Sequence, residues 1–377
     1  MFYGILKFTK LIVYNTPYLL VKSSIQYRKD AKSFDLSHTN RTSNAFKNVR
    51  KDTISCNETY VFIIGESTTK NKMNLYGYQK ETNPKLNNIK NELFIFDQVI
   101  SPHTHTITSL SKSLTLNNYQ NPSKQDNGSI IQLMNAAGFK TYWLSNQKPI
   151  GAFENLTTKI SKGASVRNFI NIANHNKKTP YDHKLIKPLK IALNDTANKK
   201  AIFIHLLGTH LQYNKRYPKE FEYFTTSDIK DKKEVLINEY DNAVRYNDFV
   251  VREIIKEVKA KNIMSYVLYF SDHGEEVYFD RKDFYGHYEE DPTRSMYEIP
   301  FILWTSVKYK KLRKSSFNVH NRFMTDELIH AVSDISGIRF TGFDKKRSIF
   351  NNFYVEKPRM VRKNISFEEL FLYEDKN

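Results

Sequence analysis

Short apolar runs recur along the chain, each about the length of one strand: Tyr60–Ile64, Lys140–Leu144, Ala201–Leu207, Tyr266–Phe270 and Ile299–Trp304. They are apolar nearly throughout instead of alternating, which predicts strands buried on both faces. Between them lie stretches with helical spacing. One is Ser129–Ala137, stopped by Gly138; the other is Asn238–Lys259, with an apolar stripe of Val244, Phe249, Val250, Ile254, Ile255 and Val258. Strands alternating with helices predict an α/β fold, a mostly parallel central sheet with helices on both faces. In such sheets ligands gather outside the carboxyl ends of the strands. Polar residues stand at those ends: Gly65-Glu66-Ser67 after the first run, Gly208-Thr209-His210 after the third, and Ser271-Asp272-His273-Gly274 after the fourth.

The chain reads differently ahead of these runs. Met1 to Lys22 is apolar but interrupted by Lys7, Lys10, Asn15, Thr16 and Pro17, and no run of about 18 apolar residues suited to spanning a membrane occurs anywhere. This segment suits an amphipathic element, either lying on a surface or packed on its own domain. From Lys29 to Cys56 the chain is polar and aperiodic, as a linker is. Residues 1–54 are therefore assigned to an amphipathic N-terminal segment and linker, and 55–377 to the main domain.

Composition narrows the function classes. With 40% hydrophobic and 14% aromatic residues among 377, the chain can bury a large core, so wholesale disorder is excluded. Lys and Arg number 58 against 40 Asp and Glu, a formal charge of +18. That excess favours an anionic partner, or else reflects a general bias toward Lys and Asn. The charges are scattered and no nucleic-acid motif appears, so nucleic acid is not an expected partner. A single cysteine, Cys56, excludes an internal disulfide and cysteine-rich zinc sites, leaving His, Asp, Glu and hydroxyl oxygens as metal ligands.

Asp272 and His273 offer a carboxylate and an imidazole at one turn, a metal corner or simply turn chemistry, and Glu66 adds a second carboxylate at another strand end. Ser101-Pro-His-Thr-His-Thr-Ile-Thr-Ser-Leu110 crowds hydroxyls and imidazoles ahead of a helical pattern. A hydroxyl there can cap the helix or, beside a bound metal, act as a nucleophile.

The string Gly65-Glu-Ser-Thr-Thr-Lys-Asn-Lys-Met-Asn-Leu-Tyr-Gly-Tyr78, with Thr82 and Pro84, resembles the opening of the periplasmic domain of lipid A and lipooligosaccharide phosphoethanolamine transferases. These belong to the alkaline phosphatase and sulfatase superfamily and include the mobile colistin-resistance enzymes. Further matches keep the family's order. They are His205-Leu-Leu-Gly-Thr-His210 with Tyr213, Arg216, Tyr217 and Pro218; Tyr240-Asp-Asn with Tyr246 and Asp248; Ser271-Asp-His-Gly-Glu275; Gly286-His287; and Ile299-Pro300. The resemblance spans Tyr60 to Trp304.

It implies that Glu66, Thr106, Asp272 and His273 ligate one zinc ion, with a second ion left open. Thr106 is preferred as nucleophile over the nearby Thr104 and Thr108 because Thr106, Ser109, Leu110 and Thr115 match the family's spacing. His210 and His287, with His205 nearby, match residues that contact the phosphoryl group or a second zinc, and Asn146 resembles a substrate-contacting position. Tyr240-Asp-Asn is assigned to holding its helix against the sheet. The implied reaction moves phosphoethanolamine from phosphatidylethanolamine, through Thr106, to a lipopolysaccharide-type acceptor on lipid A or a core sugar. A monomer on the periplasmic face of the inner membrane is expected. The family usually carries a transmembrane bundle ahead of this domain and often disulfides, and both are departures here. The alternatives are another hydrolase or phosphoglycerol transferase of the superfamily, and a non-catalytic module binding anionic glycan or membrane.

Overall fold

The computed structural model describes residues 40–120, 127–149, 156–172, 179–313 and 316–372. The amphipathic segment expected at the N-terminus lies outside them. Residues 40–56, in the stretch that reads as a linker, pack on the domain. Phe46 is buried edge-on against Phe340, Gln132 donates to Asn40 O at 2.9 Å, and Arg50–Lys51 pairs antiparallel with Ile338–Arg339.

Seven strands form the central sheet: β1 (Glu58–Gly65), β2 (Leu93–Phe96), β3 (Lys140–Ser145), β4 (Val166–Phe169), β5 (Lys199–His205), β6 (Met264–Ser271) and β7 (Phe301–Thr305). Their spatial order is β2-β7-β6-β1-β5-β3-β4. The five strands β6, β1, β5, β3 and β4 are mutually parallel, and β7 runs antiparallel to both β6 and β2. The expected parallel sheet with helical cover is thus present, with one reversed strand near an edge.

Alternation along the buried strands gives the sheet two unlike faces. On one, cross-strand aromatic neighbours pair: Tyr60 with Tyr266 at 4.3 Å between ring centroids, and Phe62 with Phe203 at 4.6 Å. On the other, Val61, Ile63, Ile202, Ile204 and Val267 meet the apolar stripe of a long helix, α4 (Lys232–Ala260), and of α3 (Ile186–Asn194). Each such side chain removed from water contributes about 1.5–3 kcal/mol, and so the central strands hold their register firmly. Helices α1 (Thr106–Ser113) and α2 (Ile130–Ala136) precede β3. The latter begins in a capping box between Ser129 and Gln132 and ends at Gly138, whose φ is +83°. No helix among the described residues is long and apolar enough to cross a membrane.

Candidate metal centre

Because β1 and β6 are parallel neighbours with Gly65 opposite Ser271, the residues leaving them emerge at the same sheet edge. Glu66 follows β1, and Asp272 and His273 follow β6; all three are buried, and one ligand atom from each lies within 4.8 Å of the others. His273 Nε2 stands 3.3 Å from Glu66 Oε1 and 3.6 Å from Asp272 Oδ2. Thr106, first residue of α1 and half-buried, brings its Oγ1 to 3.0 and 3.2 Å from the Glu66 carboxylate and 3.4 Å from His273 Nε2. The four residues expected to share an ion are therefore brought together.

Several contacts fix this convergence. Asp272 Oδ1 accepts from the amides of Ser67 at 3.1 Å and His273 at 2.7 Å. Ser67 sits in the left-handed region at φ +55°, held through its carbonyl by Tyr240 at 2.8 Å and Thr209 at 2.7 Å. Tyr240 thus ties α4 to the loop behind Glu66. Gly208, at φ +53°, lies where a β-carbon would come within 2.7 Å of Glu66 O. A β-carbon on Gly274 would stand 2.0 Å from Ser295 O, so neither position has room for a side chain.

The electrostatics suit a cation. Burial and the adjacent Glu66 charge push the Asp272 carboxyl up to about 8. Burial also works against charge on His273, but Asp272 and Glu66 overcome it and raise the imidazole to about 10. For Glu66, burial is outweighed by the hydrogen bond and charge of His273, which hold it well below the usual carboxylate range. Asp272 Oδ2 is buried with no hydrogen-bond partner among the described residues. An unpaired oxygen in such a place is costly unless a positive group meets it. His273 Nδ1 lies 2.7 Å from Gly274 O, which can only accept, so Nδ1 carries a proton and Nε2 faces the carboxylates. Two carboxylates, one imidazole nitrogen and a hydroxyl form an oxygen and nitrogen donor set suited to zinc. Holding an ion there requires the proton on Nε2 to leave.

The remaining expected residues divide. His287 packs at 4.4 Å between centroids from His273, and its Nδ1 meets Glu275 Oε2 at 2.6 Å. Tyr213 donates to the other Glu275 oxygen at 2.7 Å, so this carboxylate orients His287. His210 is exposed, close enough for its charge to bear on Glu66. His205 ends β5, buried edge-on against Trp143, and burial lowers it to about 4; its Nε2 has no partner among the described residues. Asn146 does not reach the cluster: its amide donates to Pro180 O and Asp182 Oδ1, both at 2.8 Å. The next residue does. Gln147 donates to Glu66 Oε2 at 3.2 Å and to Leu206 O at 3.0 Å.

A family model described as Sulfatase matches residues 58–338. The chain belongs to the sulfatase family. Within it, the chain resembles the phosphoethanolamine transferases EptC of Escherichia coli strain K12 and CptA of Salmonella typhimurium. Each is 35% identical over 359 residues, covering 92% of this chain and 62% of the relative. The chain thus spans less than two thirds of these curated relatives. Among solved structures, this sulfatase-family domain is similar to the C-terminal periplasmic domain of EcEptC from E. coli in complex with Zn. The TM-score is 0.80 at 35% identity, over 86% of this chain and 94% of that one. The soluble domain of lipooligosaccharide phosphoethanolamine transferase A from Neisseria meningitidis matches at TM-score 0.70 and 21% identity, over 83% and 99% of the two chains, and speaks for the fold alone.

Proposed function

We propose that residues 55–377 form the catalytic domain of a zinc-dependent phosphoethanolamine transferase, with Thr106 as the nucleophile that carries the transferred group. The observation that carries this reading is the approach of a half-exposed hydroxyl at a helix start to 3.0–3.4 Å from two buried groups of a cation-seeking cluster. The rival hydroxyls are engaged elsewhere: Thr104 Oγ1 donates to Glu289 at 3.0 Å and Thr108 Oγ1 to His105 O at 3.1 Å. Glu66, Asp272, His273 and Thr106 would hold one zinc ion. Bound there, zinc supplies Lewis acidity that favours the Thr106 alkoxide at neutral pH.

In the first step Thr106 Oγ1 attacks the phosphorus of phosphatidylethanolamine. The Oγ1–P bond forms, the bond from phosphorus to the diacylglycerol oxygen breaks, and the departing alcohol takes a proton. In the second, a hydroxyl or phosphate oxygen of a lipopolysaccharide-type acceptor attacks the same phosphorus, and the Thr106 hydroxyl is restored. Thr106 opens α1, and the first amides of a helix favour negative charge growing beside them. His287, oriented by Glu275, and the exposed His210 stand by as donors to the phosphoryl oxygens, with the neutral His205 behind the strand ends. The excess of basic residues suits the anionic acceptor, the phosphate group of the zwitterionic donor and the periplasmic face of an inner membrane.

Intact mass spectrometry after incubation with phosphatidylethanolamine tests the reading. Wild-type protein should gain one phosphoethanolamine group, and Thr106→Ala should gain none. An adduct persisting on the variant moves the nucleophile to Thr104 or Thr108. Phosphoethanolamine released to water with no acceptor modified makes the protein a hydrolase. Zinc-free protein indifferent to chelators points to a binding module.

A further inference from the structure

The segment Ser101–His105, which delivers Thr106, has no regular secondary structure, and the N-cap of α1, His105, makes no side-chain cap hydrogen bond. Something else must hold the nucleophile's approach. Glu289, far along the chain, does so with one carboxylate. It accepts from the Thr104 amide at 2.9 Å and the Thr104 hydroxyl at 3.0 Å, and it meets His103 Nδ1 at 3.0 Å and the Tyr297 hydroxyl at 3.3 Å. His105 Nδ1 lies 3.8 Å away. The brace has a rigid back. Tyr297 is buried with Ile100, Met324, Val361, Phe367 and Phe371.

We propose that Glu289 positions the Thr106 hydroxyl for attack, taking the place of a helix cap by gripping the backbone two residues earlier. Its glutamate identity matters because a carboxylate turns an accepting oxygen to each side, one to the Thr104 amide and hydroxyl and the other to the Tyr297 hydroxyl and His103 Nδ1. A glutamine in its place offers one accepting oxygen, so its amide group is set against either the Thr104 amide and hydroxyl or the Tyr297 hydroxyl. The loop then shifts, and a displacement of about 1 Å at the reacting atom costs about 100-fold in rate. The proposal rests on the reading of Thr106 as nucleophile.

The test compares wild type, Glu289→Gln and Glu289→Asp as full chains, with two readouts. Hydrogen exchange by mass spectrometry over residues 101–106, run without lipid, should speed up in Glu289→Gln. Adduct formation on Thr106 should slow by about 10- to 100-fold, with the KM for phosphatidylethanolamine and the zinc content unchanged. Glu289→Asp, which keeps the charge at shorter reach, should recover part of both losses. Unchanged exchange overturns the proposal, as does faster exchange with adduct formation at the wild-type rate. Zinc lost in step with the rate also overturns it, because Glu289 would then serve the ion. If wild type forms no adduct, the nucleophile reading fails by itself, while exchange still decides whether Glu289 holds the loop.

Discussion

Gln147→Glu places a third carboxylate against the metal-seeking cluster with little change in shape, and the outcome can be worked from one distance. The Gln147 amide stands 3.2 Å from Glu66 Oε2. Two unit charges at that separation repel by about 5 kcal/mol at an effective dielectric of 20, and by about 1 kcal/mol in water. Gln147 is half-buried, which puts the cost between these limits. The Leu206 carbonyl also loses its Gln147 donor, adding about 1–3 kcal/mol if it stays buried. In chelator at pH 7.5, urea unfolding should therefore show the variant destabilised by about 5 kcal/mol. A dication at the cluster brings added positive charge close to residue 147, so added zinc should stabilise Gln147→Glu by more than it stabilises wild type. Gln147→Ala is the control: it loses the hydrogen bonds without adding charge, and its deficit should not depend on zinc. Equal destabilisation of the Glu and Ala variants, with and without zinc, would refute the reasoning.

Two further outcomes follow from packing and burial. Gly274→Ala sets a β-carbon 2.0 Å from the Ser295 carbonyl, so the turn carrying His273 must move; roughly 3–5 kcal/mol of stability and most of the bound zinc should be lost, read by denaturation and metal analysis. His330 is buried away from the site, and burial, followed by the charge of Arg347, lowers it to about 3. Its neutral form is the folded one, so its contribution to stability is complete above the ordinary value of 6.5 and fades as pH falls toward 3. Between pH 7 and 5 it should account for about 2 kcal/mol of acid destabilisation, which His330→Phe should abolish in paired unfolding curves.

The sheet was legible where strands are buried on both faces. β1, β3, β5, β6 and β7 all coincide with apolar runs, because central strands have no solvent side to encode. β4, Val166-Arg-Asn-Phe169, is mostly exposed at the edge and gives no run to find. β2, Leu93-Phe-Ile-Phe96, is apolar but only four residues long. Helix α4 starts at Lys232, ahead of the expected Asn238, because its first turn is capped by Asp231 yet buries nothing that periodicity could register. At the site, the residues that follow strand ends, Glu66, Asp272 and His273, are ones that the structure brings together. Asn146 and Gln147 both follow β3, but neighbouring side chains point apart, and only the structure tells which one reaches Glu66. Glu289 carries no signal in the sequence, since its meaning depends on a loop folded against it from far away.

The metal-seeking cluster also sets a timetable for maturation. Ser67 and Asp272, joined in the finished protein, are 205 residues apart in the chain, and every parallel pairing that aligns their strands is similarly non-local. Contacts of that kind form late, after the loop between them has been closed at an entropic cost. A growing chain that has passed Thr106 but not reached His273 holds a lone carboxylate and a hydroxyl, too few donors to retain a zinc ion. On the proposed reading, capture of zinc waits until β6 has docked beside β1, and Thr106 gains its activating ion only then.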